Sequence, residues 1–201
     1  MSELSPVAAD VVRVVVGLGT VVVLPLGLRL LGDRAVPRSR SLVWPLVGLV
    51  AAASVWLPVG PGAALLATPF AVAGVVLAAC ALRVRLFSTA VALATPLVGA
   101  VALVAELAGW GLLGFSGDYL ALTVPHMLFA GFGACRVVGL VAHVSTTPLT
   151  RAAAVAAPTG VLLVLAGYFV SDAAELVAAA AHQSPIVRTA APTSSAASET
   201  K

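Results

Sequence analysis

The sequence predicts an all-α polytopic transmembrane bundle of about six spans with both termini outside, and three observations carry that prediction. Of the 201 residues, 61% are hydrophobic and only 9% are charged, against roughly 25% charged in an ordinary soluble domain. A soluble fold of this size has no means of covering such a chain with polar surface. The charges are also spaced so that apolar runs of about 20 residues recur, the length a helix needs to cross ~30 Å of hydrocarbon. The runs are continuously apolar rather than alternating, which excludes a transmembrane β-barrel.

Residues 1–170 make up the predicted six-span domain. Ser5-Pro6 reads as a helix start, with serine as N-cap and proline at the first helical position. The absence of a basic residue before Arg13 and of a small-residue cleavage site argues against a secretory signal. Span 1 covers about 11–31, with Arg13 and Arg29 near its ends and able to snorkel. The loop GDRAVPRSR, with Arg34, Arg38 and Arg40, leads to span 2 at about 41–57, and the uncharged link PVGPG to span 3 at about 62–82. The link RVRLFS, with Arg83 and Arg85, precedes span 4 at about 89–113, and GFSGDY precedes span 5 at about 120–144. After STTPLTR, ending at Arg151, span 6 is expected at about 152–170. In the segment 171–182, Asp172 as N-cap with Glu175 three residues on is a capping-box pattern and predicts a short surface helix. The Ala/Ser/Thr/Pro-rich tail 183–201 is expected to be disordered.

Orientation follows from the arginines. The links after spans 1, 3 and 5 hold six of them, whereas the links after spans 2 and 4 hold none. Placing every basic link in the cytoplasm puts both termini outside, and the outer segments then carry Glu3, Asp10, Asp118, Asp172 and Glu175. The bias of ten arginines to one lysine, without asparagine, suggests a GC-rich bacterial genome and hence the cytoplasmic membrane of a bacterium. The net charge of +3 is spent on topology and predicts no nucleic-acid partner. Cys80 and Cys135 both fall inside apolar runs and read as small buried hydrophobes. Every span contains a proline, and Leu-Ala-Thr-Pro occurs at both 66–69 and 93–96, a repetition that chance explains in a chain of this composition.

The hairpin from Glu106 to Arg136 carries the ionisable residues set well inside predicted spans. With span 4 ending near residue 113, Glu106 and His126 lie about equally far from the intervening turn, roughly 10 Å below the outer helix ends. Ionisable residues inside a span are functional candidates by default. Glu106 and His126, with Thr123 one turn away to satisfy the second imidazole nitrogen, therefore form a candidate binding or proton-holding site. The alternative reading makes Glu106 and His126 an interhelical clasp worth ~1 kcal/mol. Arg136 lies ten residues deeper than His126 and reads as an anchor to a backbone carbonyl or an inward-snorkelling side chain, while Gly131 and Gly133 belong to a small-residue face for close helix approach. No zinc spacing, phosphate-binding glycine loop or nucleophile–base arrangement is present, so no metal, cofactor or catalytic residue is predicted.

At 122–132 the chain reads LTVPHMLFAGF, which resembles the YndJ-like family of bacterial membrane proteins, whose pattern here is LTAVHFHYAGF. Leu122-Thr123, His126 and Ala130-Gly131-Phe132 match, Leu113-Gly114-Phe115 matches a Leu-Gly-Phe link, and Pro25 to Leu31 (PLGLRLL) is also similar. The second histidine of the family pattern falls on Leu128, a departure that puts any two-histidine site in doubt. Family members are longer, which implies that terminal spans are missing here. The family is uncharacterised, so the resemblance implies a multi-pass membrane protein of unassigned activity. Beside the lipid bilayer, the expected partners are a second copy of the chain or another membrane subunit. The readings left open are an outward-facing Glu/His binding site, a structural subunit in which the pair is a clasp, and a small-solute transporter or lipid-acting enzyme.

Overall fold

A computed structural model describes residues 4–31, 35–37, 39–112, 115, 117–145 and 147–183, with side chains described through Gly167. The fold is all-α. Its helices are α1 (Pro6–Leu31), α2 (Val43–Ser54), α3 (Pro61–Ala81), α4 (Phe87–Ala108), α5 (Asp118–Val144) and α6 (Pro148–Gln183). Among the described residues, five of these are long and apolar enough to cross a membrane, with mean hydropathy between 1.7 and 2.3. Helix α2 has 12 residues, about 18 Å at 1.5 Å per residue.

The helix ends have local causes. Ser5 Oγ accepts from the Ala8 amide at 3.3 Å with Pro6 at the first helical position, so α1 begins five residues before the expected start at residue 11. Helix α2 falls short of 41–57 because its last amides tighten into i→i−3 bonds, Trp56 to Ala53 at 3.2 Å and Leu57 to Ser54 at 3.2 Å, just before Pro58. Helix α4 stops at Ala108 rather than near Leu113. Gly109 takes φ 70°, its amide donates to Glu106 O, and the Trp110 amide donates to Ala105 O at 2.8 Å. This is a complete Schellman ending, and only a residue tolerant of the left-handed region supplies it cheaply. Instead of a span ending near 170 and a separate surface helix at 171–182, one helix runs Pro148–Gln183, and from Ser184 the expected tail lies outside the described residues.

Two helices contain π-helical stretches, Gly19–Val23 in α1 and Met127–Ala134 in α5. Pro25 and Pro125 remove backbone donors beside them, and proline within a helix frees the carbonyl four residues earlier. Buried Thr20 returns a hydrogen bond to Val16 O at 3.0 Å. The two π stretches pack against each other, with Leu128 and Phe129 against Gly19.

The chain divides into two compact units, Met1–Leu163 and Val164–Lys201. Within the first, α4 is the central helix, packed on α3 along its length and on α5 across its other side. The core is built largely from small residues, including Ala51, Ala63, Ala67, Ala92, Ala100 and Ala102. Small side chains bring helices close where lipid offers no hydrophobic contrast. The outer faces are apolar: Val7, Val11, Val14, Leu18, Val22, Leu26 and Leu30 form one exposed ridge of α1 at helical spacing. That surface matches a lipid bilayer. The second unit comprises, within the described residues, the continuation of α6 from Val164 to Gln183.

Candidate functional site

At one end of the bundle the start of α1, the end of α2, the end of α4 and the start of α5 surround a cavity of about 290 Å³. Its walls carry Arg13, Glu106 and Asp118 among apolar side chains such as Val12, Val16, Val55 and Leu107, with Trp110 also lining it. The opposite end holds the arginine-bearing links, with Arg29, Arg40, Arg83, Arg85 and Arg151 all exposed.

Each charge in the cavity is placed by a specific local feature. Glu106 sits two residues before the end of α4, held there by the Schellman closure, whose Gly109 amide lies 2.9 Å from the Glu106 carbonyl. The next carbonyl, Leu107 O, accepts from the Gly60 amide at 2.8 Å, which ties the α2–α3 link to this helix end. Asp118 occupies the first turn of α5, where the partial positive charge of the helix terminus favours a carboxylate. Its Oδ2 accepts from the Leu4 amide at 2.9 Å and so fastens the chain before α1 to the start of α5. Arg13, on the second turn of α1, pairs with Asp10 at 2.7 Å and lies over the Trp56 ring at 5.6 Å. Leu112 and Phe115, between α4 and α5, exchange backbone hydrogen bonds at 2.8 and 3.0 Å.

Glu106 stands apart from these. It is half-buried, and among the described residues its side chain has no hydrogen bond and no ion pair. Arg13 and Asp118 are the other charged residues that line the same cavity. It also lies at the C-terminal end of α4, where the helix dipole disfavours a carboxylate.

The other residues singled out in the sequence fall elsewhere. His126 ends the first α-helical part of α5, is exposed, does not line the cavity and makes no hydrogen bond among the described residues. The matching depth inferred for Glu106 and His126 is lost because α4 ends five residues early. Glu106 lies about 3 Å from its helix end and His126 about 12 Å from its own. Thr123 donates to Tyr119 O at 2.7 Å, a bond within its own helix. Gly131 lies against Thr95, which a Cβ would meet at 2.7 Å, while a Cβ on Gly133 would find only ordinary contacts at 3.4 Å. Arg136 is buried and donates from Nη2 to Leu30 O at 2.8 Å, capping a carbonyl at the end of α1, while its Nε is buried without a hydrogen-bond partner among the described residues.

Sequence reasoning missed Arg13 and Asp118 as members of a site. The signal was present: Arg13 is the one arginine at the otherwise arginine-free end of the first five predicted spans. A basic residue placed against the charge bias has a local reason to be there.

Among the described residues no group of three or more His, Cys, Asp or Glu side chains is placed to hold a metal ion. No curated protein and no solved structure matches the chain. A family model described as YndJ-like protein matches residues 14–200. With nearly the whole sequence covered, from the second turn of α1 onward, this integral membrane helical bundle belongs to the YndJ-like family.

Proposed function

We propose that the protein is a membrane binding element whose ligand site is the charged cavity at the arginine-poor end, with Glu106 as its central group. One observation carries the reading: a partly buried carboxylate at an unfavourable helix end opens into a cavity and has no partner among the described residues. A charge brought into a low-dielectric site is costly unless something pairs with it. The fold meets this requirement for Arg13 and Asp118, and at Glu106 it leaves the requirement to a ligand. Under the positive-inside rule the cavity faces outward in a bacterial cytoplasmic membrane, so the site samples the extracytoplasmic medium. The clasp reading has less support, since nothing joins Glu106 to His126 in this arrangement.

The test is Glu106→Gln in the producing organism, with growth phenotype and membrane abundance both measured. Loss of phenotype at normal abundance supports the site. Loss of abundance makes Glu106 a structural residue, and an unchanged phenotype removes it from function.

A further inference from the structure

The geometry points to a small organic monocation, an ammonium ion bearing a few carbons, as the ligand of this cavity, held by Glu106 and walled by Trp110. The inference rests on the site proposed above and adds the chemistry of its occupant.

The balance of charges around the cavity leads to the sign. Arg13 is already paired with the Asp10 carboxylate at 2.7 Å. Asp118 is offset twice, by the Leu4 amide at 2.9 Å and by its place in the first turn of α5. Among the described residues the Glu106 side chain has no hydrogen bond and no ion pair, and the C-terminal dipole of α4 adds to its negative field. One uncompensated carboxylate calls for one positive charge.

The walls then select among cations. A divalent metal needs several oxygen ligands, and no group of three or more acidic, histidine or cysteine side chains is assembled here among the described residues. Most of the lining residues are aliphatic and Trp110 is among the rest, and apolar and aromatic surroundings favour alkylated ammonium groups over hydrated inorganic ions. The cavity of about 290 Å³ lies at the lower edge of the ~300–1,000 Å³ typical of small-molecule sites. It suits a compact ion rather than a lipid or a peptide.

Arg13 supplies the internal control. It lines the same cavity as Glu106, so it competes with a cationic ligand but would assist a zwitterion by meeting the ligand's carboxylate. The experiment is calorimetric titration of the full-length protein in nanodiscs at constant ionic strength, using tetramethylammonium, choline, glycine betaine and calcium chloride as probes. The expected result is saturable binding of tetramethylammonium or choline, weakened at least tenfold in Glu106→Gln and tightened several-fold in Arg13→Gln. Both variants should retain the thermal unfolding midpoint of the parent within a few degrees. If betaine binds best and Arg13→Gln weakens it, the site stands and the ligand class falls. Displacement of the ammonium probes by equimolar calcium overturns the inference in favour of a metal site. If no probe binds and the growth phenotype also ignores Glu106→Gln, the inference and the proposed site fall together.

Discussion

Two of the charges in the hairpin of α4 and α5, Arg136 and Glu106, are treated oppositely by the fold. Arg136 is buried, spends a donor on the Leu30 carbonyl 106 residues away in sequence, and thereby closes the end of α1. Glu106 is half-buried beside a cavity, and its side chain makes no hydrogen bond or ion pair among the described residues. A buried charge given a backbone partner is part of the scaffold. A charge brought to a cavity wall at the wrong end of a helix dipole, with its neighbours already paired, is the basis of the proposed ligand site. Intramembrane charge alone therefore does not mark function; what the surrounding helices do with it does.

The largest effect expected concerns the packing that brings α4 and α5 together. Gly131→Leu forces a side chain into the buried Thr95, and overpacking of this kind costs about 3 kcal/mol. Thermal unfolding in detergent should show a clear fall in midpoint, whereas Gly133→Ala should change little. An equal response at both positions would mean that the helices are not as close at Gly131 as described.

Next comes the anchor. Arg136→Met removes the bond to Leu30 O and strands a helix-end carbonyl, costing about 1–2 kcal/mol given the modest worth of interhelical hydrogen bonds in membranes. Stability measured by reversible unfolding in mixed micelles checks it. A neutral result would make Arg136 a snorkelling side chain.

Glu106→Gln sharpens the contrast by acting in the other direction. Removing an uncompensated carboxylate from a helix C-terminus should leave stability unchanged or raise it by about 0.5 kcal/mol, while abolishing ligand-dependent stabilisation. A loss of stability comparable to that of Arg136→Met would place both charges in the scaffold.

The smallest effect is a coupling. In a double-mutant cycle, Glu106→Gln and His126→Ala should be additive within about 0.5 kcal/mol, as for residues without a shared partner. Coupling above about 1 kcal/mol would restore the interhelical clasp.

Much of the bundle was legible beforehand. Hydropathy located each helix, and Ser5-Pro6 announced the start of α1. The ends were harder. The apolar run after Glu106 continues to Leu113, so hydropathy extends span 4, yet Gly109 in the left-handed region ends the helix at Ala108. Five residues of difference moved Glu106 from the expected depth of roughly 10 Å below the helix end to a helix terminus and away from the depth of His126. The pairing of two ionisable residues at equal depth failed for that reason. Likewise, the capping pattern at Asp172 marked a helix start, but the helix already in progress from Pro148 runs through it.

By itself the sequence determined that apolar helices form and roughly where, because the span needed to cross hydrocarbon and the cost of exposed backbone in lipid are properties of one segment at a time. Only the tertiary structure decided which charge meets which group. Asp118 is joined to Leu4 across 114 residues and Arg136 to Leu30 across 106, and no local pattern encodes such distant partners. The cavity that Glu106 lines is a product of how four helix ends converge.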